Sequence, residues 1–306
     1  MTKVTCEIER ITPAKATKML ANNPNNRHVT RNHVIILARE MSMGDWQVTG
    51  QGISISDKGE LLDGQHRLLA VELSGKTVNM MVARGINKKA MNVIDTVAKQ
   101  RSASDIFSMR GIKNPINVAS GINCINKFTA GGRFASLSHT QARLTQSQYD
   151  TYLKAFPQVV EWAAYVGTLS ERVCFPSIVV GLGVVFGLAE ENLQIEVGED
   201  EETRVREFFW KLDSGEMLHK NEPIYELRKH LMRYNTNRKT FRIRPETIVW
   251  LIIKTWNAYV SGQELKKLAI SGRERMPLVA GFDPTVLPFY TESSVKEEVG
   301  ENLSLL

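Results

Sequence analysis

The sequence predicts an α+β protein. A small mixed sheet with flanking helices is expected over residues 1–112, an all-helical domain over 113–290, and a solvated tail over 291–306. Three observations carry this prediction. Short apolar runs bounded by Gly, Asp and Ser occur only before residue 112. Beyond it, apolar residues recur at helical spacing, several times just after Thr or Pro. Of the 306 residues, 42% are hydrophobic, enough for real cores, yet no apolar run is long enough to span a bilayer.

Taken in order, VTCEIERI (4–11) is a strand, and Thr12-Pro13 opens a helix to about Leu20, with Pro at the first helical position behind a Thr cap. NNPNNRH is a loop. Thr30 with Val34, Leu37, Ala38 and Met41 predicts a helix over 30–42, ended by Met43-Gly44-Asp45. A compact unit follows: strand 52–56, turn Asp57-Lys58-Gly59, strand 60–62, the loop DGQHR, helix 65–73, a Ser74-Gly75 stop and strand 77–83. Two helical pieces are expected before residue 112, the second capped by Ser102 with Asp105 three residues on. Further helices are expected over 114–128, 145–166, 175–191, 201–213, 223–234, 245–261 and 263–270. No internal repeat is visible.

The net charge of +6 favours a polyanionic partner, and the charge is segregated. Residues 190–202 are acidic without a basic residue; residues 228–244 are basic without an acidic one. Cys6, Cys124 and Cys174 are far apart and form no CxxC, which suggests neither a disulfide framework nor a zinc cluster and predicts buried thiols. Glu7, Glu9, Arg10, Lys15 and Lys18 interrupt the stretch a signal peptide needs, so a cytoplasmic protein without a membrane partner is expected.

The stretch DGQHR (63–67) concentrates chemistry at a strand-to-helix junction. The first amides of a helix are unpaired and carry the positive end of its dipole, which attracts anions. Gly64 allows close approach, His66 and Arg67 add donors, and Arg67 can hold two phosphate oxygens. Asp63 can cap the helix, bind a nucleotide-borne metal or accept a proton. The competing reading has Asp63 capping, Gly64 turning the chain, and Gln65, His66 and Arg67 facing solvent.

GELLDGQHRLLAVELSG resembles the signature region of the ParB/sulfiredoxin superfamily. ParB-type partition proteins carry Gly-Glu-Arg-Arg here, sulfiredoxins Gly-Gly-Cys-His-Arg, and a related free-serine kinase Asp-Gly-His-His-Arg; Gly64, His66 and Arg67 match the common part. The resemblance covers roughly residues 4–110, including the Thr-Pro helix opening and Asn25-Asn26-Arg27. DGQHR itself is similar to the string of DGQHR-domain proteins associated with DNA-modification systems and phage genomes. The resemblance implies a nucleoside triphosphate, ATP or CTP with Mg2+, held by Arg27, Gly64, Gln65, His66 and Arg67, with Asp95 and Arg101 either in a looser second motif or in a salt bridge at a helix end. Asp63 and His66 are the candidate catalytic residues, and Asp63 the candidate metal ligand. Gln65 stands where sulfiredoxins have cysteine, so thiolate chemistry is not implied. No helix-turn-helix signature of the ParB kind is apparent.

RKHLMRYNTNRKTFRIR supplies Arg233, Arg238, Lys239, Arg242 and Arg244 as candidate DNA contacts, with Tyr234 and Phe241 as stacking platforms. Pairing with the acidic segment 190–202 of the same molecule is the equal alternative. GLGVVFG (181–187) reads as helix packing through small residues, Trp210, Trp250 and Trp256 as core, His139, His219 and His230 as lacking ligand spacing, and Trp46 as an anchor for its helix. The expected function is nucleotide-dependent phosphotransfer or NTP hydrolysis in DNA metabolism or modification, in a chain compatible with oligomerisation. A non-catalytic DNA-binding regulator is the first alternative. A nuclease is the second, disfavoured by the lack of concentrated carboxylates.

Overall fold

β1 (Thr5–Ile11) and α1 (Pro13–Leu20) meet at Thr12, whose hydroxyl accepts the Lys15 amide at 3.2 Å while Pro13 fills the first helical position. In the computed structural model, residues 3–23, 28–88, 101–129, 131–135, 143–193, 204–236, 244–270 and 274–291 are described. Among them are eleven α-helices and one mixed four-stranded sheet.

The described residues fall into two compact units, one holding 3–88 with 143–147, the other most of 101–291. The division comes before α4 (Ala103–Met109), not after it, because α4 packs on α5 (Pro115–Asn126).

In the first unit the chain continues as α2 (Arg31–Met43), β2 (Ile53–Ser56), β3 (Leu61–Asp63), α3 (Gln65–Ser74) and β4 (Val78–Ile86). The strand order is β1-β4-β2-β3, with β1 antiparallel to β4, β4 parallel to β2, and β2 antiparallel to β3. The Ser56 hydroxyl closes the β2–β3 turn by accepting the Lys58 and Glu60 amides at 3.1 and 3.0 Å. Ile11, Val34, Ile53, Leu68, Val71, Met80 and Val82 form the core between sheet and helices.

The second unit also contains α6 (Gln146–Ala155) from Gln148 onward, α7 (Val159–Tyr165), α8 (Pro176–Asn192), α9 (Arg204–Ser214), α10 (Pro223–Thr236) and α11 (Pro245–Val260). α8 is buried nearly all round, as its apolar composition requires. A Cβ at Gly181 would strike Cys124 on α5, and one at Gly183 would strike the Trp162 ring, so GLGVVFG is a packing surface between helices.

Four expectations are corrected. The helix over 145–166 breaks at Pro157, which lacks the amide a continuing helix needs and restrains Phe156 before it. Residues 263–270 are not helical: the Leu265 amide donates to the Asn221 carbonyl at 3.0 Å, the Ala269 carbonyl accepts Lys254 Nζ at 2.9 Å, and Leu268 is buried. Trp210 is exposed because Val205, Phe208, Phe209 and Leu212 take the inward face of α9. Cys6 is exposed on β1, whereas Cys124 is buried. Of the first helical piece expected before residue 102, residues 89–100 lie outside the described residues. Among the described residues, no helix is long and apolar enough to cross a membrane.

Glu190 on α8 is a buried acid whose Oε1 has no partner among the described residues. Burial holds its carboxyl above the usual carboxylate range, offset in part by the Arg204 amide and charge. A folded-state pKa above the unfolded one gives stability that is complete below the unfolded value and lost as pH rises through the folded one. Glu190→Gln is therefore expected to raise the melting temperature by about 2 °C near neutral pH, with the advantage vanishing below about pH 4 in calorimetric scans.

Candidate functional site

The DGQHR residues lie where β3 passes into α3. Asp63 ends the strand opposite Ser54, and its Oδ1 accepts the Gly64 amide at 2.7 Å. Gly64 caps α3 at φ 103°, ψ 6°, a conformation L side chains rarely adopt, and a Cβ there would stand 3.1 Å from Ile53 Cα. Glycine is needed here for the turn and for the close approach to β2.

His66 turns inward and is 8% exposed. Its Nε2 accepts the Thr30 amide at 2.9 Å, so this nitrogen carries no proton and the ring is the neutral Nδ1–H tautomer. Thr30 sits at the cap of α2 without a side-chain cap bond, and the imidazole, from another helix, accepts the cap residue's own amide, as the third-residue side chain does in a capping box. His33 packs edge-on against His66 with centroids 5.3 Å apart. As placed, His66 can act as a base only after Thr30 leaves its Nε2.

Arg67 turns toward the start of β2. Its Nη1 donates to the Gly52 carbonyl at 2.8 Å and lies 3.6 Å from Asp63 Oδ2, while Nη2 reaches Gln51 Oε1 at 3.4 Å. The Arg67 side chain is 18% exposed and that of Asp63 30%. Among the described residues, Arg67 Nε–H meets no acceptor, and Gln65 Oε1, shielded from solvent, is without a hydrogen-bond donor. The reading in which all three residues after Gly64 face solvent is therefore incorrect. Helical periodicity sends His66 and Arg67 to different neighbours.

Arg27 and Asp95 lie outside the described residues. Arg101 is exposed and opens the second unit just before Ser102, whose hydroxyl forms a capping box with Asp105. Arg233 is exposed near the end of α10 and Arg244 at the cap of α11; Arg238, Lys239 and Arg242 lie outside the described residues. Two other cations of the same run serve the fold. Arg228 donates to the carbonyls of Leu212 and Ser214 at 3.4 and 3.3 Å, and Lys229 donates to Glu226 at 3.1 Å. The Tyr234 hydroxyl meets His230 Nε2 at 3.2 Å, which occupies that aromatic.

Sequence reasoning missed Thr30, Gln51 and Gly52 as the groups that hold the motif. Gly52 carried the one available signal, since glycine at a strand start marks close backbone approach. A recess of about 330 Å3 lies beside Trp46, whose Nε1 donates to the Asn79 carbonyl at 3.0 Å, anchoring the segment after α2. None of the DGQHR residues line it. Among the described residues, no three His, Cys, Asp or Glu side chains gather to hold a metal ion. No protein-family model, curated protein or solved structure matches this chain.

Proposed function

We propose that the first unit binds a nucleoside triphosphate, ATP or CTP, at the β3–α3 junction, in a ParB/sulfiredoxin-like arrangement. One observation carries the reading: at the start of α3, a partly exposed guanidinium keeps its Nε–H without an acceptor among the described residues. The backbone amides of that turn add the positive end of the helix dipole. Arg67 is the proposed phosphate ligand, His66 holds α2 and α3 together, and Gln65 lies beside the site. Asp63, one oxygen of which is taken by Gly64, offers the other to Mg2+ arriving with the nucleotide; a single protein carboxylate suits that mode of magnesium binding. Phosphoryl transfer or hydrolysis in DNA metabolism is the proposed activity, in which Asp63 serves as the Mg2+ ligand or, where it is not bound to the metal, as the base that takes the nucleophile's proton. Such chemistry demands mainly positioning and charge neutralisation.

Thermal-shift titration with ATP, CTP, GTP and UTP, each with Mg2+, tests binding. At a concentration about 100 times its dissociation constant, a ligand stabilises the folded state by about 2.7 kcal/mol, a rise of several degrees. Arg67→Lys keeps the charge but not the two-pronged geometry and is expected to weaken binding about tenfold or more. The ligand-induced shift, not the unliganded melting point, is the measure, because Arg67 also supports the fold. Absence of a shift with all four nucleotides at millimolar concentration removes the proposal.

A DNA-binding regulator is the second reading, supported by the exposure of Arg233 and Arg244 at either end of the basic segment. It requires retention of DNA that weakens steeply with added salt.

A further inference from the structure

β1 is the long open edge of the sheet. β4 borders it on one side, and among the described residues no strand borders it on the other. The opposite edge is managed differently, since β3 has three residues and the Leu61 amide already donates to the Asn22 carbonyl. Soluble proteins shield edges with short strands, charged side chains, bulges, prolines or covering loops, and of these devices β1 has the charges of Glu7, Glu9 and Arg10. β1 has seven residues, no proline, and an unbroken register with β4. It also displays two large apolar side chains at its rim, Val4 at 59% exposure and Ile8 at 67%. Alternation puts Val4, Cys6 and Ile8 on the face opposite buried Ile11, and β4 sets Ala83 beside Cys6 and Met81 beside Ile8.

We propose that two copies of this chain pair through β1, antiparallel about a two-fold axis at Cys6, so that the two four-stranded sheets join into one. In such a pair, opposing residues share a face, which allows axes centred on a residue but not between residues. An axis at Glu7 sets Glu7 against Glu7 and Val4 against Arg10; an axis at Ile8 sets Glu7 against Glu9. An axis at Thr5 sets Val4 against Cys6 and gives Ile8 no apolar partner. The axis at Cys6 sets Val4 against Ile8 twice, Lys3 against Glu9 twice and Thr5 against Glu7 twice, with no like charges opposed. Glu9 already pairs with Lys15 at 2.8 Å and Arg84 at 3.0 Å, so the apolar pairs and the new backbone hydrogen bonds carry the register.

Sedimentation of the full chain without nucleotide tests this directly. A concentration-dependent dimer is expected, and Ile8→Lys is expected to raise its dissociation constant about tenfold or more, with unchanged melting at concentrations where the chain is monomeric, because Ile8 is exposed there. Diamide is expected to link the dimer through Cys6: the two thiols lose two protons and two electrons to the reagent, which becomes a hydrazine, and one S–S bond forms. Opposed residues in antiparallel strands have Cα atoms about 4.5–5.5 Å apart, within disulfide reach. Burial pushes the Cys124 and Cys174 thiols up to about 12, which keeps them from competing. Cys6→Ser should abolish the link yet keep the dimer. In that background, Val4→Cys mixed with Ile8→Cys should link, and neither should link with itself. A monomer at every concentration overturns the proposal, as does self-linking of Val4→Cys.

Discussion

Gly52→Val is expected to destabilise the first unit strongly while leaving the second unaffected. A Cβ at Gly52 would overlap the Met81 carbonyl on β4, the strand that β2 lies alongside. That oxygen belongs to the backbone and moves only if the two central strands separate. Gly52 also presents the carbonyl that accepts Arg67, so the same displacement loosens the DGQHR turn. Ordinary overpacking costs about 1–3 kcal/mol, and a hydrogen bond to a charged group contributes about 1.5–3 kcal/mol. A loss of about 3–5 kcal/mol is expected, a large share of the roughly 5–15 kcal/mol that holds a typical domain together. Gly50 is the internal control: nothing lies within 4 Å of a Cβ placed there, and Gly50→Ala should change stability by no more than about 0.5 kcal/mol. Hydrogen exchange gives the readout. Gly52→Val should strip protection from β2, β4 and α3 and spare α8; uniform protection, equal to that of Gly50→Ala, refutes the argument.

Trp256→Ala is expected to have a comparable effect on the second unit. The indole is fully buried, lies parallel to Phe186 with ring centres 4.4 Å apart, and meets Phe208 edge-on at 5.5 Å. Removing a buried tryptophan side chain costs about 3–5 kcal/mol through lost transfer energy and the cavity left behind. One feature of the site works in the other direction. The indole N–H has no partner among the described residues, and its removal relieves a penalty of about 1–3 kcal/mol. A net loss of about 3 kcal/mol is expected for alanine in urea unfolding. Trp256→Phe keeps an aromatic face toward Phe186 and removes the unpaired donor, so it should cost about 1 kcal/mol or less. Equal losses for the two substitutions would show that the ring stack is not what Trp256 contributes.

Most elements of this fold were legible one segment at a time. Thr12-Pro13 starts α1, the Ser102–Asp105 box starts α4, and Pro176, Pro223 and Pro245 open α8, α10 and α11. Each signal acts within one turn of backbone, so it survives without knowledge of the rest of the molecule. Pro157 was a local signal too, overlooked because the apolar spacing continued across it. The segment 263–270 has helical spacing of its own but bonds through Leu265 and Ala269 to Asn221 and Lys254, where tertiary partners outweigh local preference. Trp210 had the composition of a core residue and the wrong angular position on α9.

Residue order alone places the DGQHR stretch between a strand and a helix, with Gly64 making the turn. What its side chains touch follows from how distant segments pack. Arg67 finds its carbonyl on Gly52, 15 residues back, and His66 finds its donor on Thr30, 36 residues back. Caps and turns are made by neighbours in the chain and can be read from residue order. The partners of a buried imidazole or guanidinium are chosen by which strands and helices pack together, and no local spacing records that choice.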